Sequence, residues 1–196
     1  MKIINNQTSE NRNYVDNISL NIKGEQMKIF AIDPGNIQSA YCVMDGDYNL
    51  IEFGKDVNAA VGTKMLSWIE RPYVEIDAVI LERVASYGMP VGREVFDTCE
   101  WIGRFAQKAE QWTRTDFIYR QDEKLYICHD SRAKDTNIRA ALIERFAKHD
   151  FKNGKGTKNN PDYFYGVSAD CWAAIAVAVT WLDMQKEKSM KGNKQC

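Results

Sequence analysis

From residue 28 onward, short apolar runs alternate with longer amphipathic stretches. "KIFAID" (28–33) is a short apolar run closed by a carboxylate and then Pro34-Gly35, the pattern of a buried strand running into a turn. "SAYCVMD" (39–45) and "YNLIEFG" (48–54) flank a Gly-Asp pair, so the first three strands are expected to form an antiparallel meander. Residues 57–70 have helical spacing and stop before Arg71-Pro72. "DAVILE" (77–82) is a second short apolar run ending in a carboxylate. Over 91–112, Val95, Cys99, Ile102, Phe105, Ala106 and Ala109 fall on one face of a long amphipathic helix. Residues 116–120 and 124–129 read as strands, and 135–149 as a helix capped by Asp135 or Thr136. A Gly/Asn/Lys loop covers 153–161. The last helix, 168–187, is apolar almost all round through its centre, so it is expected to lie against the sheet.

Three meander strands followed by alternating helices and strands predict an α/β domain with a mixed sheet. Residues 1–26 are rich in Asn, Ser, Thr and charge and read as a flexible extension. That leaves 27–187 as the folded domain and 188–196 as a basic, frayed tail. A chain of 196 residues with 44% hydrophobic and 27% charged residues suits one ordinary globular domain. The longest apolar run, "CWAAIAVAVTWL" (171–182), is short of the roughly 18–20 residues a membrane span needs. The N-terminus lacks the apolar core and cleavage site of a secretory signal. Five scattered cysteines, none in CxxC spacing, are expected to be reduced thiols in the cytoplasm.

Net charge is −1, which does not by itself announce a nucleic-acid partner. Its distribution is more informative. Residues 1–98 carry 9 Lys/Arg against 14 Asp/Glu, whereas 99–196 carry 17 against 13. The second half can build a basic face for a polyanion, or simply solvated helix faces.

Asp33 and Glu82 hold equivalent positions, each at the C-terminal end of a short apolar strand. Ligands of open α/β sheets bind at those ends. Asp170, in "VSADCWAAIAV", stands at the start of the last helix beside small residues suited to close packing on the sheet. If that helix crosses the strand ends, the three carboxylates converge. Converging carboxylates repel unless cations lie between them, and an all-oxygen set selects Mg²⁺ or Mn²⁺. That chemistry suits metal-assisted phosphodiester hydrolysis. Each residue also has a plain structural reading: Asp33 as a turn residue, Glu82 as a partner of Arg83 or Arg93, Asp170 as a helix cap.

"IFAIDPGNIQSAYCVMD", "AVILERVASYGMPVG", "SRAKDTNIRAALIERF" and "YGVSADCWAAIAVAVTWL", in this order and spacing, resemble RuvC-like Holliday-junction resolvases, most closely the small members found in phage genomes. The resemblance spans residues 28–182. It implies a ribonuclease H-like fold with a mixed five-stranded sheet flanked by helices. It further implies an endonuclease that binds Mg²⁺, with Mn²⁺ as a substitute, and cuts branched DNA such as four-way junctions, usually as a homodimer. The expected setting is the cytoplasm of a bacterial or phage-infected cell. Asp33 and Glu82 match the first two family carboxylates, and Asp170 matches the first member of the closing D-x-x-D pair. The second member falls on Ala173, a departure for which Asp162, or His129 and Asp130, are conceivable substitutes.

The resemblance also places a phosphate-contacting, catalytic lysine at Lys134, in "SRAKD" with Arg132. Tyr87 suits stacking on an unpaired base, and Arg93 a phosphate at a helix start. Lys152, Lys155 and Lys158 suit backbone contacts to DNA from a flexible loop. The apolar stripe of the 91–112 helix is either core or a dimer face. Two other functions compete with a nuclease. One is a branched-DNA-binding protein of the same fold with an incomplete metal site. The other is a sugar-kinase-like or ATPase domain, disfavoured because there is no second Gly-rich phosphate loop.

Overall fold

β1 (Lys28–Asp33) pairs antiparallel with β2 (Gln38–Asp45), and β2 with β3 (Leu50–Val57), which forms the expected meander. The structure, a computed structural model, describes residues 27–71, 75–86, 88, 90–168 and 170–192. The expected extension at 1–26 therefore lies outside the described residues. On its other side β1 runs parallel to β4 (Ala78–Arg83), and β4 runs parallel to β5 (Arg114–Tyr119). The result is a mixed five-stranded sheet of order β3-β2-β1-β4-β5.

β1 and β4 are central strands covered on both faces, which is why they read as unbroken apolar runs. Ile29, Ala31, Cys42, Ala78 and Ile80 face one layer, and Phe30, Ile32, Val43, Val79 and Leu81 face the other. α1 (Asn58–Ile69) and α2 (Arg93–Ala109) cover the second face through Val61, Met65, Ile102 and Phe105. The first face is covered by α5 (Cys171–Gly192), with α4 (Asp135–Phe146) packed outside it through Ile138 and Leu142. Residues 174–180 of α5 are buried all round, as the lack of a polar stripe predicts. Their Ala and Val side chains let the helix approach the sheet closely. Each fully buried Ile or Leu in these two clusters contributes about 1.5–3 kcal/mol. No helix among the described residues is long and apolar enough to cross a membrane.

Four expectations need correction. Residues 124–129 are not a strand but belong to α3 (Arg120–Cys128). Asp122 Oδ2 accepts a hydrogen bond from the Tyr119 N–H at 3.0 Å, and Asp122 and Glu123 load the first turn with the charge that a helix N-terminus favours. The N-cap of α4 is Lys134, not Asp135 or Thr136, because Asn137 Oδ1 reaches back to the Lys134 N–H at 2.9 Å. α5 runs on to Gly192, so residues 188–192 are helical, with Lys191 paired to Glu187 at 2.5 Å. Residues 193–196 lie outside the described residues.

The fourth correction is the 153–161 loop. It carries a small hairpin, β6 (Gly156–Thr157) with β7 (Asn160–Pro161), held by two carboxylates. Asp162 accepts backbone N–H bonds from Lys148, His149, Asp150 and Tyr163 at 2.6–2.9 Å. Asp150 accepts from Asn153, Lys155 and Gly156 at 3.0–3.2 Å. Gly156, at φ +63°, leaves no room for a side chain: a Cβ there would lie 2.3 Å from the Asn160 carbonyl oxygen.

Candidate active site

The parallel strands β1, β4 and β5 lie side by side, so their C-terminal ends open on one edge of the sheet. Asp33 is the last residue of β1 and lies level with Ala40 of β2, which in turn lies level with Lys55 of β3. Glu82 comes one step after the Ile32–Leu81 pair and lies level with Ile118 of β5. Strand alternation sends Asp33, Lys55 and Glu82 to the α5 face, the side of Ala31, Phe53 and Ile80.

The Pro34-Gly35 turn is locked from below. Asn58 Nδ2 donates to the Gly35 carbonyl at 2.9 Å, Ser39 Oγ donates to Asn58 Oδ1 at 2.6 Å, and the Gly35 N–H donates to Ser39 Oγ at 3.3 Å. Ser39 and Asn58 are buried, so this network is dry. Gly35 is required for space: a Cβ there would stand 2.4 Å from the Gln38 carbonyl oxygen. The turn that makes Asp-Pro-Gly look purely structural is also what holds Asp33 at the rim.

Asp33 and Glu82 are half-buried, each one step past the Ile32–Leu81 pair on adjacent parallel strands. Burial raises the Asp33 pKa, partly offset by Glu82 and by the charge of Arg120. Burial raises Glu82 further, reinforced by the charges of Glu123 and Asp33. Glu82 is the more strongly shifted of the two. It contacts neither suggested arginine: Arg83 stacks over the Phe117 ring at 5.0 Å, and Arg93 lies 3.8 Å from Asp97.

Two residues that the sequence reading missed complete the cluster. Arg120 and Glu123, in the first turn of α3, form an ion pair one turn apart. Arg120 also holds Asp135, at the start of α4, at 2.5 Å. Glu123 is fully buried, and its Oε1 has no hydrogen-bond partner. Burial raises its pKa, Arg120 lowers it, and Asp33 raises it again. The charge on Asp170 reaches Asp33 too, but Asp170 is partly exposed and paired with Lys55 at 2.8 Å.

The substitutes suggested for Ala173 stand elsewhere. Asp162 is spent on backbone amides, His129 is an exposed left-handed residue ending α3 at φ 54°, and Asp130 accepts from the Arg132 N–H at 2.9 Å. Lys134 is exposed, next to the Asp135 that Arg120 grips. Arg93, Arg132, Lys152 and Lys158 are exposed and Lys155 half-buried. Lys152 helps line a surface depression of about 320 Å³ with Thr136, Arg139 and Phe151. Tyr87 lies outside the described residues.

The donor chemistry fits a hard divalent cation. Asp33, Glu82, Glu123 and Asp170 offer only oxygen, and the repulsion that raises the first three is what a cation relieves. Among the described residues no group of three such side chains is arranged to hold a metal ion; Arg120 pairs with Glu123, and Lys55 with Asp170.

The fold matches that of Thermus thermophilus RuvC with a TM-score of 0.57, over 83% of this chain and 97% of that one, at 12% identity. T. thermophilus RuvC in complex with a Holliday junction substrate matches with the same TM-score and identity, over 82% and 96%. The sequence matches no protein-family model and no curated protein. What is shared at this identity is the fold: a RuvC-like, ribonuclease H-like mixed sheet.

Proposed function

We propose that this chain is a divalent-metal-dependent endonuclease that cleaves branched DNA, four-way junctions among them, as a homodimer. The observation that carries this reading is the half-buried Asp33–Glu82 pair at the ends of adjacent parallel strands, in a fold shared with a protein solved on a Holliday junction. Carboxylates whose pKa is raised by burial at the ends of adjacent strands are of the kind that gathers at working sites. Asp33, Glu82 and Asp170 are the residues that would hold Mg²⁺ or Mn²⁺. When bound, such an ion supplies Lewis-acid charge for the scissile phosphate and an acidified water as nucleophile.

The chain's own groups do the rest. Asp33 is fixed by the Ser39–Asn58 network and needs no reorganisation to act. Lys134 offers its ammonium to a non-bridging phosphate oxygen. Arg93, Arg132, Lys152, Lys155 and Lys158 contact backbone phosphates without reading sequence. Tyr87, following β4 in the sequence, stacks on a base unpaired at the branch point. The exposed first half of α2, with Phe96 and Cys99 outward, is the apolar face offered to a second copy.

A second reading has a specific observation in its favour. Ala173 stands where a fourth carboxylate is expected, and Lys55 neutralises Asp170, as suits a junction-binding protein that does not cut. Incubating the full chain with a synthetic four-way junction and Mg²⁺ or Mn²⁺ separates the two. Nicking near the branch supports the nuclease, whereas a stable complex without nicking in either metal supports the binding protein.

A further inference from the structure

Four features of α3 converge on one residue. Its first turn follows β5 directly, where Ile118 lies level with Glu82, so Glu123 is delivered to the rim that holds Asp33 and Glu82. Glu123 is a fully buried carboxylate, the kind of group that folded chains bury only with full compensation. Here compensation is half complete: Arg120 satisfies one oxygen, and Oε1 is left without a partner. The charge of Glu123 reaches Glu82 across this rim.

We infer that Glu123 is a ligand of the divalent cation held by Asp33 and Glu82, and that it takes the place left empty by Ala173. The inference rests on the proposed metal-dependent reading of the site. Chemically, the unpartnered Oε1 is a free hard-oxygen donor in a dry position, and a purely structural partner of Arg120 would not need it. Arg120 is a counter-ion that the cation must displace, and Asp135 stands ready to keep the guanidinium, which it already holds at 2.5 Å.

The test is Mn²⁺ binding to the full chain without DNA, followed by titration calorimetry and by the electron paramagnetic resonance signal of free Mn²⁺. Three proteins are compared: wild type, Glu123→Gln and Asp33→Asn. Glu123→Gln keeps the size and a hydrogen bond to Arg120 but removes the charge. It is expected to weaken Mn²⁺ binding at least about tenfold, the lower bound for loss of a group that supports a metal site. Its metal-free melting temperature should match or exceed that of wild type. If Glu123→Gln does not fold, Glu123→Asp, which keeps the charge but withdraws it by one methylene, is expected to weaken binding in the same direction. Wild-type affinity in the Glu123 variants, with binding lost in Asp33→Asn, overturns the role of Glu123 and leaves the metal site standing. Absence of Mn²⁺ binding by the wild type overturns the reading on which the inference rests.

Discussion

Lys55 Nζ lies 2.8 Å from Asp170 Oδ2, although 115 residues separate them in the chain. Lys55 comes from the meander edge of the sheet and Asp170 from the approach to α5, so this bridge ties the two sides of the candidate site together. Both groups are partly exposed, and such pairs contribute no more than about 1 kcal/mol. Lys55→Gln should therefore change the unfolding free energy by less than about 1 kcal/mol in denaturant titrations. It should also tighten Mn²⁺ binding, because Asp170 no longer has a competing cation. Weaker metal binding in Lys55→Gln would show that the lysine supports the site rather than competes within it.

The turn after Asp33 predicts a sharper effect. A methyl group on Gly35 collides with the Gln38 carbonyl oxygen, so Gly35→Ala must shift the backbone that carries Asp33. The expected cost is about 1–3 kcal/mol of stability, with cleavage falling further than the loss of folded protein explains. Denaturant melts and single-turnover cleavage of the same preparation check this. Equal losses in both would reduce Gly35 to a folding residue.

Acid–base behaviour follows from the buried acids. Glu82 and Glu123 are held above the ordinary glutamate value of 4.5, chiefly by burial, so the folded state holds their protons more tightly than the unfolded chain does. The stability they contribute is complete below that ordinary value and is lost as pH rises through their raised folded values. Metal-free protein in a chelator should melt at progressively lower temperature from mildly acidic to alkaline pH, and Glu82→Gln should flatten the decline. Asp162 acts in the opposite sense on the acid side: its backbone bonds outweigh burial and lower its pKa, so its contribution is lost only at strongly acidic pH. A melting temperature indifferent to pH above the glutamate range would contradict the raised values.

The basic hairpin yields a test on DNA. Backbone amides and the carboxylates of Asp150 and Asp162 hold this segment together, without help from its lysine ammonium groups. Replacing Lys152, Lys155 and Lys158 by Ala should leave the fold intact. Junction affinity should fall, and the slope of log affinity against log salt should lose about one unit per phosphate contact removed. Binding titrations at several salt concentrations measure both.

Much of this site is legible in the sequence, and what is hidden is hidden for physical reasons. Asp33 and Glu82 can be found because central strands must be apolar throughout, so a carboxylate closing such a run marks the strand end. Glu123 escapes because "KLYICH" is too short to separate a two-residue period from a helical one. Read as a strand, the segment gives Glu123 no reason to face Glu82. Asp162 looks like a loop residue for a similar reason: its four backbone partners assemble only in the folded hairpin. The Lys55–Asp170 pair depends on the register of β3, which local pattern does not specify.

The most direct test of the central claim is Mg²⁺-dependent cleavage of a synthetic four-way junction by the wild type and by Asp33→Asn, with binding followed in parallel. The account predicts that the wild type nicks the junction near its branch point. Asp33→Asn should bind the junction about as tightly but cleave it at least about a hundredfold more slowly, as suits the loss of a group that acts in the transition state. Cleavage by Asp33→Asn at the wild-type rate would contradict it.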